Sequence, residues 1–196
     1  RMLSDEELYK ATLPFITKTG DAALEINVSD EFPAPHVGPE YSGIALGDDG
    51  EPVCVDTSMN MSSADVKKAL MELMPLIKER LKYLTEAAEM VHFLFTEPAV
   101  PAADQIIPKK LDLAKTKEVL EASKEFVKAL PNLDHEGSEA LAREMAEKLG
   151  VKLGDFMMPI RMAVTGSRVS PPLMGSILIL GVERSLERIE RTLQTL

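Results

Sequence analysis

The stretch MPIRMAVTGSRVSPPLMGSILILGVERSLERIERTL, from Met158 to Leu193, decides how this chain folds and what it offers to a partner. Met157, Met158, Ile160 and Val164 predict an apolar helix over about 154–164, interrupted by the lone charge of Arg161 between Ile160 and Met162. Gly166 permits a tight turn. Pro171 and Pro172 fix their own backbone angles, so the Thr165–Pro172 loop is stiff. Such a loop presents carbonyls, the Ser170 hydroxyl and an apolar platform at Leu173 with little ordering cost on binding. A short helix over 173–180 and a final helix over about 183–194 follow.

Arg161 cannot shed its charge, so burial would require a partner. Spacing alone favours an ion pair to a neighbouring acid. Arg184, Arg188 and Arg191 recur at intervals of four and three and line one face of the last helix. Glu183, Glu187 and Glu190 interleave with them, which reads as a solvated, self-paired face more than as a phosphate-binding one.

Upstream, Ser4-Asp5-Glu6-Glu7 has the spacing of a capping box. A short helix should follow, with Leu8, Thr12 and Leu13 inward and a stop near Pro14. Between 18 and 60, Pro33, Pro35 and Pro39 disfavour a regular helix. Gly43-Ile-Ala-Leu, Gly47-Asp-Asp-Gly50 and Pro52-Val-Cys-Val read as a small hairpin near 43–56. Ser62 or Ser63 caps a helix carrying Val66, Leu70, Leu73, Met74 and Ile77, which Pro75 should kink or split. A second helix is expected over about 85–95. Pro98, Pro101 and Pro108 mark a connection, and helices over about 111–129 and 138–149 follow, the latter closed by Gly150.

The 196 residues are 45% hydrophobic but only 5% aromatic, with 11 Met and no Trp, so the core must be aliphatic and Met-filled. One cysteine, Cys54, excludes an internal disulfide. His36, His92 and His135 lie far apart with no metal-ligand spacing, and no Gly-rich phosphate-loop motif occurs. No run nears the ~20 apolar residues of a membrane span, and no signal segment opens the chain. An opening Arg1 in place of Met is what a trimmed chain would show. The net charge of −10 argues against nucleic acid over the whole surface. Its distribution is uneven: residues 1–60 carry 3 basic and 12 acidic groups, whereas 141–196 carry 8 and 6.

Taken in order, Arg161, the Ala163-Val-Thr-Gly166 turn, the Ser170-Pro-Pro-Leu173 loop and the Leu180-to-Ile189 close resemble the end of the anticodon-binding region of bacterial-type glutamyl-tRNA synthetases. The likeness covers most of 62–196 and the opening RMLSDEEL, and residues 18–60 match poorly. It implies a mainly α fold, a two-part helical bundle or cage with the small hairpin near 43–56. A first anticodon-binding subdomain would span 1–100, including the unassigned 18–60 segment, and a second would span 109–196. The RNA-binding residues it implies are Arg80, Arg161, Thr165, Ser170, Pro171 and Leu173, with Arg161 on the first anticodon bases.

In this resemblance Arg80, within Leu76–Glu86, reads the third base. Cytosine offers acceptors where uracil offers an N–H, so an arginine donor can separate the two. A solvated helix end, or a one-residue slip to Lys78 or Lys82, is the competing reading. The family's H-I-G-H-type and K-M-S-K-S-type motifs are absent. The parent would be a class I glutamate–tRNA ligase using ATP with magnesium; this chain would hold neither cofactor and would not be catalytic by itself. The implied partner is the anticodon loop of tRNA-Glu, met by a monomer in the cytoplasm. The alternatives are a helical protein–protein module docking through its acidic front, or part of an enzyme that charges both tRNA-Glu and tRNA-Gln.

Overall fold

Ser4 starts the first helix as the spacing predicts. Its hydroxyl accepts the Glu7 amide at 3.1 Å, and the Glu7 carboxylate accepts the Ser4 amide at 2.8 Å. Helix α1 then runs Asp5–Ile16. The computed structural model describes residues 3–18 and 43–196. The chain divides into two units, Arg1–Glu97 and Pro98–Leu196. The prolines at 33, 35 and 39, and with them most of the 18–60 segment, lie outside the described residues.

In the first unit α1 leads directly into β1 (Thr17–Lys18), which pairs in parallel with β2 (Ile44–Leu46). β2 pairs antiparallel with β3 (Pro52–Cys54), in the register Ile44↔Cys54 and Leu46↔Pro52. This is the expected hairpin, closed through the Gly47 amide on the Glu51 carbonyl at 2.9 Å. The third, parallel strand was not legible, because two residues carry no alternation pattern. Gly43 enters β2 at φ +76°, and a Cβ there would stand 2.6 Å from the Thr96 methyl group. Only glycine fits both constraints.

Helix α2 spans Ser63–Ile77 behind a Ser62–Asp65 capping box and buries Val66, Leu70, Leu73, Met74 and Ile77. It packs on α1 and β3. α1 ends at Ile16, two residues past Pro14, and α2 runs through Pro75 without being split. Both prolines are exposed, while Ile16 and Ile77, each two residues beyond one of them, are fully buried. Burial of these anchors offsets a proline cost of about 3 kcal/mol. The expected single helix over 85–95 is instead a 3-10 turn (Leu84–Glu86), a short α3 (Ala87–Val91) and a second 3-10 turn (His92–Leu94). Tighter winding brings Phe93, Leu94 and Phe95 all into the core.

The second unit opens with α4 (Ala103–Ile106) and α5 (Leu113–Ala129), whose first turn is capped by Asp112 accepting the Lys115 amide at 2.7 Å. α6 (His135–Lys148) begins earlier than predicted because Asp134 caps it, accepting the Gly137 amide at 2.7 Å. It ends as expected at Gly150, which is left-handed at φ +66°. There follow α7 (Leu153–Thr165), α8 (Leu173–Leu180) and α9 (Val182–Thr195). α9 lies against α5 and α7, and α6 packs on α7. Phe126 and Phe156 meet edge to face at 5.7 Å and 76° at the centre of this core, beside Ile160, Val164, Leu173, Ile177 and Ile189. Among the described residues, no helix is long and apolar enough to cross a membrane.

Phe156→Ala should destabilise the Pro98–Leu196 unit by about 3–5 kcal/mol. A urea titration followed by far-UV circular dichroism would show a lower midpoint; an unchanged midpoint would mean the ring pair does not anchor this core.

Candidate nucleic-acid interface

The Thr165–Pro172 loop has a chemical problem built into its sequence. Pro171 and Pro172 bring carbonyls but no N–H, so the end of the loop is short of backbone donors. Arg161 supplies the missing donors. Its Nη1 donates to the Pro171 carbonyl at 2.8 Å, lies 3.5 Å from the Ser170 carbonyl, and makes a short hydrogen bond to the Ser170 hydroxyl. The Pro172 carbonyl accepts from the Ser176 amide and the Ser176 hydroxyl, each at 2.9 Å, which starts α8. The arginine that interrupts an apolar helix is therefore half-buried and aimed at the loop that follows it.

The near end of the loop is equally well tied. Gly166 closes α7 in the left-handed region at φ +72°, its amide donating to the Met162 carbonyl at 2.9 Å. A Cβ on Gly166 would stand 2.8 Å from Pro98. The Thr165 hydroxyl donates to the Arg161 carbonyl at 2.8 Å and accepts the Ser167 amide at 3.3 Å.

Two arginines of α9 complete the frame. Arg188 is 1% exposed and its Nη1 donates to the Val164 carbonyl at 2.7 Å, one of the orphan carbonyls at the end of α7. Arg191 donates through Nη2 to the Pro98 carbonyl at 2.8 Å. The expectation of a solvated, self-paired face on α9 is thus wrong for Arg188. Packing of α9 on α7 turns that residue inward, where a helix end offers it an acceptor.

The sequence-selected residues separate into two sets. Thr165, Ser170 and Pro171 are buried, and Leu173 is 2% exposed. The Leu173 side chain fills the core under α8 and does not form the expected surface platform. These four side chains hold the loop in shape. What the loop turns outward is its tip, Arg168 and Val169, the latter 58% exposed. Arg168 steadies that tip through Nη2 on the Gln105 carbonyl at 3.2 Å. Sequence reasoning passed over both, although their place midway between the glycine turn and the prolines is where a tied loop must bulge.

Arg80 belongs to the other unit. It is exposed in the turn after α2, its amide donating to the Ile77 carbonyl at 2.8 Å. Of the slip alternatives, Lys78 is engaged with Asp5 at 3.2 Å, whereas Lys82 is exposed. Among the described residues, no three His, Cys, Asp or Glu side chains converge on a metal position.

Against known families, residues 46–193 match the anticodon binding domain. The chain belongs to that family. As an anticodon-binding domain it is 44% identical over 194 residues, 98% of its length, to a glutamate–tRNA ligase of Treponema denticola. It is 39% identical over 194 residues to that of Treponema pallidum. These alignments cover 98% and 99% of the chain and so include residues 18–60, whereas that of Roseiflexus sp., 42% identical, spans 64% of it. The domain covers about a third of its relatives' own length, 35% and 33% for the two Treponema proteins. In fold it resembles the crystal structure of a glutamate tRNA ligase from Elizabethkingia meningosepticum in complex with its amino acid. The TM-score is 0.51 at 18% identity, over 99% of this chain and 30% of that one.

Replacing Arg161 with Ala should remove the charged donor from the Ser170 and Pro171 acceptors, at about 1–3 kcal/mol. Hydrogen exchange at the amides of 166–170 should quicken while that of α5 and α6 stays protected. Unaltered exchange in the loop would show that the guanidinium does not hold it.

Proposed function

We propose that this chain is the anticodon-reading part of a glutamate–tRNA ligase, and that it recognises the anticodon loop of tRNA-Glu. The observation that carries the reading is the family match over 46–193, joined to a loop whose shape is held by arginine and whose tip is free to meet a partner. Unpaired bases are recognised by rigid loops and by guanidinium groups that donate to their edges or stack on them. The half-buried Arg161 and the exposed Arg80 are the two such groups we assign to base recognition, with Arg168 and Val169 as the outward contact of the loop. Thr165, Ser170, Pro171 and Leu173 serve by fixing that loop.

The adenylate chemistry, with its ATP and magnesium, we assign to the two thirds of the relatives' length that this chain does not span. The residues here do not fit that group: the chain has no phosphate-binding glycine motif. The whole enzyme would join glutamate to tRNA in the cytoplasm, as a monomer.

Arg80 gives the reading its sharpest consequence. An arginine donor meets acceptors on cytosine and a donor on uracil, a difference of about 1–3 kcal/mol. The 196-residue chain should therefore bind a tRNA-Glu anticodon stem-loop roughly tenfold or more tighter than the same hairpin with U for C at the third anticodon position. Arg80→Ala should erase that preference, and Arg161→Ala should weaken both hairpins. Equal affinity of the parent chain for the two hairpins would point to an enzyme that accepts both tRNAs. Equal affinity for an unrelated hairpin would end the anticodon reading.

A further inference from the structure

Tyr83 is 70% exposed, the highest value among the large apolar side chains that reach the surface. Tyrosine is intermediate in burial, with an apolar face and a polar tip, so it is its surroundings that give this exposed ring a meaning. Among the described residues its ring packs against no other ring and its hydroxyl has no hydrogen-bond partner. Arg80 and Lys82, both exposed, precede it within three residues.

The ring is open but its backbone is not loose. The Glu86 carboxylate accepts the Lys82 amide at 2.9 Å and the Tyr83 amide at 3.3 Å, and Tyr83 caps the Leu84–Glu86 turn in extended geometry. The same two bonds draw Glu86, the acid nearest in sequence on the C-terminal side, onto the backbone. Just beyond the turn, Ala87 and Ala88 are fully buried and anchor it to the core of this unit. The result is an aromatic face on a fixed turn, flanked by two cations. An aromatic interleaved with basic groups is the chemistry that binds single-stranded nucleic acid, the base stacking on the ring and the phosphates drawn to the cations.

We propose that Tyr83 is a stacking platform for one unpaired RNA base, set beside Arg80 so that one residue supports a base by its face and the other donates to a base edge. This rests on the anticodon reading but adds a residue and a contact to it. Tyr83 is a positioning group: it supplies no donor or acceptor pattern that distinguishes one base from another. Its loss should weaken every hairpin alike, unlike the loss of Arg80.

The chain has no tryptophan, which makes the test direct. In the 196-residue chain, Tyr83→Phe should bind the anticodon stem-loop as the parent does, whereas Tyr83→Ala should bind roughly tenfold more weakly with its C-over-U preference intact. The single indole introduced by Tyr83→Trp should be quenched as the stem-loop is added, and not by a fully paired RNA duplex. Parent-like affinity of Tyr83→Ala together with an unquenched indole would overturn the platform while leaving the anticodon reading standing. Absence of stem-loop binding by the parent chain would overturn both. Because the ring is exposed, an unchanged melting midpoint in all three variants separates these outcomes from misfolding.

Discussion

A loop that contains Pro-Pro has more carbonyls than backbone donors, and the second unit makes up the shortfall from neighbouring helices. Arg161 provides donors from α7, reaching forward to the Ser170 and Pro171 acceptors. All three of these contacts run through the single Nη1 atom. The remaining loose ends are met in kind: Ser176 takes the Pro172 carbonyl, Arg188 takes Val164, and Arg191 takes Pro98. Charges in an apolar layer are costly unless hydrogen-bonded, and here backbone oxygens meet them. The shape of the loop follows from this set of bonds, and its outward tip follows from the shape.

Much of the helical framework was legible because its causes are local. Ser4 and Ser62 announce their helices by capping chemistry, and the apolar spacing from Val66 to Ile77 marks the buried face of α2. The errors share one cause. Pro75 is a local breaker overruled by distant packing of Ile77. Arg188 looks like a surface charge because its acceptor, the Val164 carbonyl, lies 24 residues away. Leu173 reads as a platform because sequence does not say which side of a loop faces the core. Arg161 was found from its odd placement among apolar residues, but the loop atoms it meets are carbonyls and a hydroxyl, which carry no charge to search for.

The two units present their surface groups differently. The second builds a rigid loop from buried side chains and shows little beyond Arg168 and Val169. The first offers exposed side chains, Arg80 and Tyr83, on a turn stiffened by Glu86. In both, most of the groups that set the geometry are distinct from those that meet solvent, although Arg168 does both. Substitutions in the two classes therefore have different signatures, one changing order and the other changing contact.

Guanidinium groups also decide how the loop answers its surroundings. A guanidinium group in a protein keeps its proton across any pH a cell reaches. The positive backing of the loop is consequently permanent: acidification neither creates nor removes it, and only dissolved ions can mask its exposed part. Had histidines or a buried lysine held the same carbonyls, the loop would loosen or tighten with proton concentration. As built, its donors hold their charge without regard to pH, and its exposed part responds to ionic strength.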